Sequence, residues 1–156
     1  MPPVLFADSN VLIEALLIPQ SAAYVVAEMV ARGAFDMATC QICVTDTEDA
    51  IVSKLGLKPN DLNKVIINWE KLKTDVRLLV LEDPDAETVK ATRDKYLGVM
   101  RHKADIPVLA AALSMDPKPH VILSGNRDHF NDAVADRCGV KICSCQEFIE
   151  FISEAP

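Results

Sequence analysis

Five acidic side chains lie where the chain could bring them together around a divalent metal ion. Each borders an apolar run, and the five are Asp8, Glu48, Asp49, Asp105 and Asp128. Mg²⁺ binds oxygen ligands, usually one or two carboxylates with water and substrate phosphate completing the shell. Enzymes that cleave phosphodiesters use such carboxylate clusters to hold ions that activate water. The residue types therefore predict metal-assisted hydrolysis.

The apolar runs between these acids predict alternating strands and helices. Strands are predicted over 4–7, 37–44, 77–81, 120–123 and 140–143. Helices are predicted over 9–17, 21–32, 45–56, 59–73, 84–97, 105–113, 126–137 and 146–152. This alternation is typical of an α/β fold of three layers, α/β/α, around a central parallel sheet of roughly five strands. A single domain over 1–156 fits this length.

The predicted elements bring the acids to one edge of the sheet. Asp8 ends the first strand, and Glu48 and Asp49 lie in the first turns of the helix after the second strand. Asp105 begins the helix before the fourth strand, and Asp128 follows that strand. Open parallel sheets bind ligands beyond the carboxyl ends of their strands. We therefore expect the carboxylates to converge there.

Helix capping is the alternative use of these acids. Asp8 could cap the helix that follows it, and Glu48 could close a capping box with Thr45. Asp105 stands at a helix start, where an acid also suits the helix dipole. Only one of Glu48 and Asp49 needs to face the site, and the sequence leaves that choice open.

Polar residues beside the acids are candidates for supporting roles. Asn10 and Thr45 are predicted to orient ligands or waters from a second layer around the metal. Ser124 is predicted to bind phosphate or water.

Basic and aromatic residues near the acids are candidates for binding nucleic acid. Four basic side chains flank the acids and could hold phosphates, or form solvated surface instead: Arg101, His102, Lys103 and Arg127. Trp69 and Tyr96 could stack on bases, although core packing is the commoner use of such residues.

The overall composition limits the classes of protein that remain. The net charge is −7, which is unusual for a nucleic-acid binder unless metal ions neutralise a concentrated acidic site. Half of the residues are hydrophobic, yet no apolar run approaches the ~20 residues of a membrane helix. The first residues carry neither a basic segment nor the apolar segment of a signal peptide. These features predict a soluble cytoplasmic protein that does not bind a membrane.

The cysteines do not form the pattern of a disulfide framework, because their number is odd and no signal peptide is evident. They are Cys40, Cys43, Cys138, Cys143 and Cys145. The spacings of the pairs 40/43 and 143/145 suggest zinc as an alternative. We expect buried free thiols instead, because residues 40 and 43 of a strand would point to opposite faces of the sheet.

Three segments resemble the conserved motifs of PIN domains, a nuclease family that includes the toxins of many toxin–antitoxin pairs. Leu5-Phe6-Ala7-Asp8-Ser9-Asn10 looks like the opening motif of the family. The segment 103–113, Lys-Ala-Asp-Ile-Pro-Val-Leu-Ala-Ala-Ala-Leu, is similar to its third acidic motif. The segment 122–130, Ile-Leu-Ser-Gly-Asn-Arg-Asp-His-Phe, resembles its fourth. The motifs occur in order over nearly the whole chain.

The resemblance implies a Mg²⁺- or Mn²⁺-dependent endoribonuclease with a small antitoxin partner and a homodimeric state. Asp8, Asp105 and one of Glu48 or Asp49 would be metal ligands, completed by Asp128 or Asn126. Asn126 stands where many relatives carry an acid.

That departure leaves a second hypothesis, a catalytically weak module of the same fold that binds RNA or a partner protein. A phosphatase acting on small substrates is a third.

Overall fold

A parallel five-stranded sheet forms the centre of the computed structural model, which describes residues 1–154. The strands are β1 (Val4–Ala7), β2 (Asp36–Cys40), β3 (Leu79–Leu81), β4 (Val121–Leu123) and β5 (Lys141–Cys143). Their order in the sheet is β3-β2-β1-β4-β5. All four neighbouring pairs are parallel. The α/β class and the parallel five-stranded sheet predicted from the sequence are confirmed.

Eight α-helices connect and flank the strands. They are α1 (Ser9–Leu17), α2 (Ala22–Ala31), α3 (Gln41–Asp49), α4 (Pro59–Asp75), α5 (Ala86–Lys95), α6 (Ile106–Leu113), α7 (Asp132–Cys138) and α8 (Cys145–Glu154). A π-helical turn, Ala50–Lys54, extends α3, and a 3₁₀ turn, Lys103–Asp105, leads into α6.

The helices lie on both faces of the sheet. Right-handed crossovers place α1 to α4 on one face and α5 to α7 on the other. On the first face α1 packs against α2, α3 and α4. On the second, α6 packs against α5 and β2. The chain turns back after β3, so the sheet has a topological switch point between β1 and β4, where open α/β sheets form their ligand crevice.

The central strand and α6 supply the most deeply buried part of the core. Leu5, Phe6 and Ala7 of β1 are inaccessible to solvent, as is Leu109 of α6. A strand covered on both faces is apolar throughout rather than alternating, which explains the unbroken run at the start of the chain. Small alanines in α6 let the helix approach the sheet closely, and Ala111 and Ala112 are also inaccessible.

The predicted second strand was wrong in its extent, because it ends at Cys40 and α3 begins at Gln41. No side chain of the preceding residues caps this helix. Instead, the carboxylate of Asp83, beyond β3, accepts a hydrogen bond from the backbone N–H of Ile42 at 3.0 Å. Because the capping group comes from 41 positions away, the local sequence carries no signal for this helix start.

Smaller differences affect other boundaries. The third strand begins at Leu79 rather than at position 77, because Arg77 has a positive φ of 50°, which no strand residue adopts. The helix predicted over 126–137 begins only at Asp132, with Asn131 as its cap. Residues 126–130 form a turn instead, and that turn belongs to the site described below.

No single helix within residues 1–154 is long and apolar enough to cross a membrane; α1 and α2 pass the criterion only as a pair bent by 91°.

Truncation of Leu109 should destabilise the domain strongly. Leu109→Ala removes a side chain with no solvent exposure, and such changes reduce the free energy of unfolding by about 2–5 kcal/mol. Leu97→Ala is the matched control, because Leu97 is 76% exposed; its effect should stay within about 0.5 kcal/mol. Urea denaturation of both variants measures the difference, and equal losses of stability would contradict the assigned core.

Candidate metal and substrate site

The site is built around Asp8, whose carboxylate is almost completely buried at the carboxyl end of β1, with 7% exposure. Its Oδ2 accepts hydrogen bonds from Ser124 Oγ at 2.9 Å and from Asn10 Nδ2 at 3.2 Å. Its Oδ1 accepts one from the backbone N–H of Ser9 at 2.8 Å, which makes Asp8 the cap of α1. Capping and site formation are therefore properties of the same side chain.

Burial is the main cause that raises the pKa of Asp8 above its ordinary value. The negative charge of Asp105 raises this pKa further, which shows that the two carboxylates interact. The hydrogen bonds from Ser124 and Ser9 oppose the shift without cancelling it. A positive charge at this place would stabilise the ionised form of Asp8.

Asn10 and Ser124 link the ends of β1 and β4. The amide oxygen of Asn10 accepts a hydrogen bond from the backbone N–H of Gly125 at 2.8 Å. Ser124 Oγ, besides donating to Asp8, accepts the backbone N–H of Asn126 at 3.1 Å. Asn10 thus holds the carboxyl group of Asp8 in place. Ser124, predicted to bind phosphate or water, is instead fully buried and hydrogen-bonded to Asp8.

Asp46 of α3 is exposed, but the charge of Asp8 raises its pKa, and it was not among the site residues predicted from the sequence. Burial chiefly raises its pKa, with further contributions from the charges of Asp8 and Asp49, while Lys54 opposes the shift. It follows Cys43 by three residues on the same helix face, and Cys43 Sγ lies 3.8 Å from Asp8 Oδ1. Starting the helix at residue 41 would have revealed this alignment.

The two helix acids considered from the sequence are placed differently. Glu48 Oε2 accepts a hydrogen bond from Trp69 Nε1 at 3.0 Å and lies 3.8 Å from Lys73 Nζ, so α4 engages its carboxylate. Asp49 is exposed at the end of α3. Thr45 is also exposed, and its hydroxyl accepts a hydrogen bond from Gln41 rather than joining the Asp8 network.

Asp105 approaches the site from the 3₁₀ turn before α6. Its Oδ2 is inaccessible to solvent, and no donor within residues 1–154 reaches it with hydrogen-bond geometry. His129 Nδ1 lies only 2.6 Å from this oxygen. A buried carboxylate oxygen without a hydrogen bond is costly unless a cation accompanies it. Such an oxygen is one observation that suits a metal ion at this place.

The turn 126–130 directs His129, rather than the predicted Asp128, toward Asp105. Asp128 is exposed on this turn. The backbone oxygen of Asn126 accepts hydrogen bonds from the N–H groups of His129 and Phe130, which closes the turn. Phe130 is 1% exposed and anchors it in the core. The side chain of Asn126 lies 2.9 Å from His129 Nδ1, so the fourth motif contributes an amide and an imidazole to the site.

The basic residues fall into two groups. Arg101, His102 and Lys103 are exposed immediately before Asp105. Arg127 is occupied: its guanidinium pairs with Asp132 at 2.6 Å and with Glu147 at 3.2 Å. These ion pairs compensate its charge, so the first group remains for substrate phosphates.

Neither predicted stacking residue is available to a base. Trp69 is 2% exposed and donates its indole N–H to Glu48, and Tyr96 is 1% exposed. Of the two uses considered from the sequence, core packing is the one that both residues have.

The argument that separated Cys40 from Cys43 is also wrong, because Cys43 lies in α3 and not in a strand. Their sulfur atoms are 3.6 Å apart. All five cysteines are buried and free. Across residues 1–154, no three His, Cys, Asp or Glu side chains converge in a ready-made metal cage. Mg²⁺ needs none, since one or two carboxylates with water and substrate commonly hold it.

A groove of about 540 Å³ lies elsewhere, between α1, α2 and α4. Its walls include Leu16, Tyr24 and Leu72, with Arg32 and Asp75 at its polar parts. None of the residues that surround Asp8 or Asp105 lines it.

Comparison with solved structures identifies the fold. VapBC2 from Rickettsia felis, bound to a DNA fragment from their promoter, aligns with a TM-score of 0.63 at 12% identity, over 90% of this chain and 97% of that chain. FitAcB from Neisseria gonorrhoeae aligns with a TM-score of 0.64 at 17% identity, over 91% and 98%. PAE2754 from Pyrobaculum aerophilum aligns with a TM-score of 0.62 at 15% identity, over 99% and 100%.

Sequence comparison adds no relative, since no family model and no curated protein matches the chain. The structural likeness nevertheless covers nearly the full length of each neighbour, and those neighbours are PIN-domain proteins of toxin–antitoxin systems. With its sheet order β3-β2-β1-β4-β5 and its buried acid at the end of β1, this chain has the fold of the PIN domain.

Proposed function

We propose that this protein is a metal-dependent endoribonuclease whose metal-binding acids are Asp8 and Asp105, with Asp46 of α3 beside them. The observation that carries the proposal is the buried Asp8 carboxylate, whose pKa the charge of Asp105 raises further. Two anions in a partly dehydrated crevice repel each other unless a cation lies between them. The fold of the solved neighbours and the crevice position support the same function.

The residues have separable tasks in this proposal. The acids hold the ions, and Asn10 with Ser124 keeps Asp8 oriented through the hydrogen bonds described above. When bound, Mg²⁺ or Mn²⁺ supplies a hydroxide nucleophile and a positive charge against the scissile phosphate. The exposed Arg101 and Lys103 bind the flanking RNA phosphates. The net charge of −7 suits a site in which metal ions, rather than a broad basic surface, attract the substrate.

We propose Asp46 as the helix acid of the site, in place of Glu48 or Asp49. Its pKa responds to the charge of Asp8, whereas the carboxylate of Glu48 is hydrogen-bonded to Trp69. Asp128, exposed on its turn, has no assigned part in metal binding.

The purified protein should cleave single-stranded RNA with Mg²⁺ or Mn²⁺ present, and EDTA should abolish this activity. Cleavage is measured on a labelled oligonucleotide. Undiminished cleavage in EDTA would exclude the mechanism. Mn²⁺ binding without cleavage would favour the alternative function, a PIN-like module that binds RNA or a partner without catalysis; the neutral Asn126 is the feature that favours that alternative.

Single substitutions should separate the acids. Asp8→Asn and Asp105→Asn should each lower the cleavage rate by about 100-fold or more, because each removes a metal ligand, and Asp46→Asn should also lower it, because it removes a negative charge beside the site. Asp49→Asn and Glu48→Gln are the matched controls on the same helix and should stay within roughly threefold of wild type. Circular dichroism confirms folding of each variant. A large loss in Glu48→Gln with full activity in Asp46→Asn would reverse the assignment.

Neutralising Asp8 should stabilise the metal-free protein. Since the folded-state pKa of Asp8 is raised, its ionisation lowers stability at neutral pH. That loss disappears as the pH falls through the folded-state pKa toward the unfolded value. Asp8→Asn, whose amide oxygen can still accept the bond from Ser124, should raise the melting temperature by about 2–4 °C.

Millimolar Mn²⁺ should raise the melting temperature of wild type by mass action and affect Asp8→Asn much less. Asp94→Asn is the control, because Asp94 lies exposed on α5, and it should melt like wild type in both conditions. If Mn²⁺ leaves the melting temperature of wild type unchanged and Asp8→Asn is no more stable than wild type, these acids do not form a metal site.

We also propose that a small antitoxin protein controls this nuclease, since the solved neighbours include VapBC2 and FitAcB, and that the active form is a homodimer. The protein encoded by the adjacent reading frame should co-purify with this chain on co-expression and suppress its RNA cleavage. Light scattering gives the oligomeric state of each species. Full cleavage activity in a stoichiometric complex of the two proteins would contradict this control.

A further inference from the structure

The turn 126–130 brings the imidazole of His129 into contact with Asp105, Asn126 and His102. Its Nδ1 lies 2.6 Å from Asp105 Oδ2 and 2.9 Å from the side-chain amide of Asn126. Its ring stacks on His102 with 3.4 Å between the ring centroids and 25° between the planes. The side chain of His129 is 23% exposed, so the imidazole lines the crevice and is neither in the core nor on the open surface.

The contact between His129 and Asp105 lacks the geometry of a hydrogen bond, because Asp105 Oδ2 remains without a donor. An unprotonated ring nitrogen and a carboxylate oxygen both direct lone pairs outward. At 2.6 Å two such atoms repel each other unless the imidazole carries a proton or both atoms bind a metal cation.

Asn126 can complete the same donor set. The oxygen and nitrogen of its amide exchange places by rotation of the side chain, which would turn an oxygen toward His129 Nδ1. Ligands of one ion held at ~2.1 Å in octahedral geometry lie roughly 3 Å apart. The observed separations of 2.6 and 2.9 Å are close to this spacing.

His102 limits the rotation of the imidazole. The stacked ring belongs to the segment that carries Asp105, and the backbone oxygen of His102 accepts the N–H of Asp105 at 3.1 Å. One short segment therefore holds both the carboxylate and the plane of the histidine that faces it. Such preorganisation favours metal binding over a chance contact.

We propose that His129 is a nitrogen ligand of the metal ion held by Asp105, with the side-chain oxygen of Asn126 as a neighbouring ligand. This inference rests on the proposed metal-dependent function and adds to it a preference among ions. Imidazole suits transition-metal ions such as Fe²⁺, Ni²⁺ and Zn²⁺, whereas Mg²⁺ prefers oxygen ligands; Mn²⁺, at the weak-binding end of the transition-metal series, lies between them. The site should therefore bind Mn²⁺ in preference to Mg²⁺ by more than an all-carboxylate site would.

Pulsed electron paramagnetic resonance of the Mn²⁺-loaded protein tests the ligand directly. A histidine nitrogen bound to Mn²⁺ gives a ¹⁴N modulation, and the chain has three histidines. The modulation should disappear in His129→Gln and persist in His102→Gln. It should also persist in His120→Gln, the matched control, because His120 accepts a backbone hydrogen bond from Val4 at the start of β1.

A second test needs no variant and therefore does not depend on how a variant folds. When wild type is labelled with ¹⁵N-histidine, a histidine nitrogen bound to Mn²⁺ should replace the ¹⁴N modulation with that of ¹⁵N. In competition titrations, His129→Gln should weaken Mn²⁺ binding by roughly tenfold and Mg²⁺ binding by less than about threefold. Equal losses for both ions would overturn the inference.

The remaining outcomes separate this inference from the function on which it rests. Mn²⁺ binding that Asp8→Asn or Asp105→Asn weakens, without any histidine modulation, would leave the nuclease proposal intact. A proton would then join His129 to Asp105, and the inference would be overturned. If the modulation disappeared in His102→Gln but persisted in His129→Gln, the nitrogen ligand would be His102, and the inference would also be overturned. A wild-type protein that binds no Mn²⁺ would overturn both proposals.

Discussion

The buried negative charge of Asp8 is the constraint on which the site and much of the central sheet depend. A carboxylate with 7% exposure must be compensated by hydrogen bonds, by a cation or by protonation. The chain supplies the hydrogen bonds from both sides of the switch point, through Asn10 after β1 and Ser124 after β4. The backbone N–H of Asp8 itself donates to Leu123. The loop ends thus meet around one buried carboxyl group.

That requirement explains why capping and function are not competing uses of Asp8. The same carboxylate binds the N–H of Ser9 and thereby starts α1. Two hydrogen bonds and a capping position still leave burial as the dominant influence on its pKa. The hydrogen bonds therefore fix the position of the Asp8 carboxyl group, but they do not make its ionised form as stable as it would be in water.

The sequence predicted those parts of the fold that depend on local pattern. An apolar run ending in Asp8 indicates a central strand, and the apolar face of 106–113 indicates a buried helix. The start of α3 could not be predicted in the same way, because its capping group, Asp83, comes from beyond another strand. Because the helix was predicted to begin at residue 45 rather than at Gln41, the position of Asp46 on the same helix face as Cys43 was missed. His129 was missed because an imidazole beside a carboxylate becomes visible only when the turn 126–130 is closed on Asp105.

The distant partners of these residues also determine when the site can exist during synthesis. Asp8 and Ser124 are 116 positions apart, and α3 gains its cap only after Asp83 has joined the folded part of the chain. Contacts between such distant segments form after local helices, since closing a long loop is entropically unfavourable. A nascent chain on the ribosome, with β4 still unsynthesised, therefore holds its acids apart. Such a chain lacks the hydrogen bond from Ser124 to Asp8 until β4 has been made and has joined the sheet.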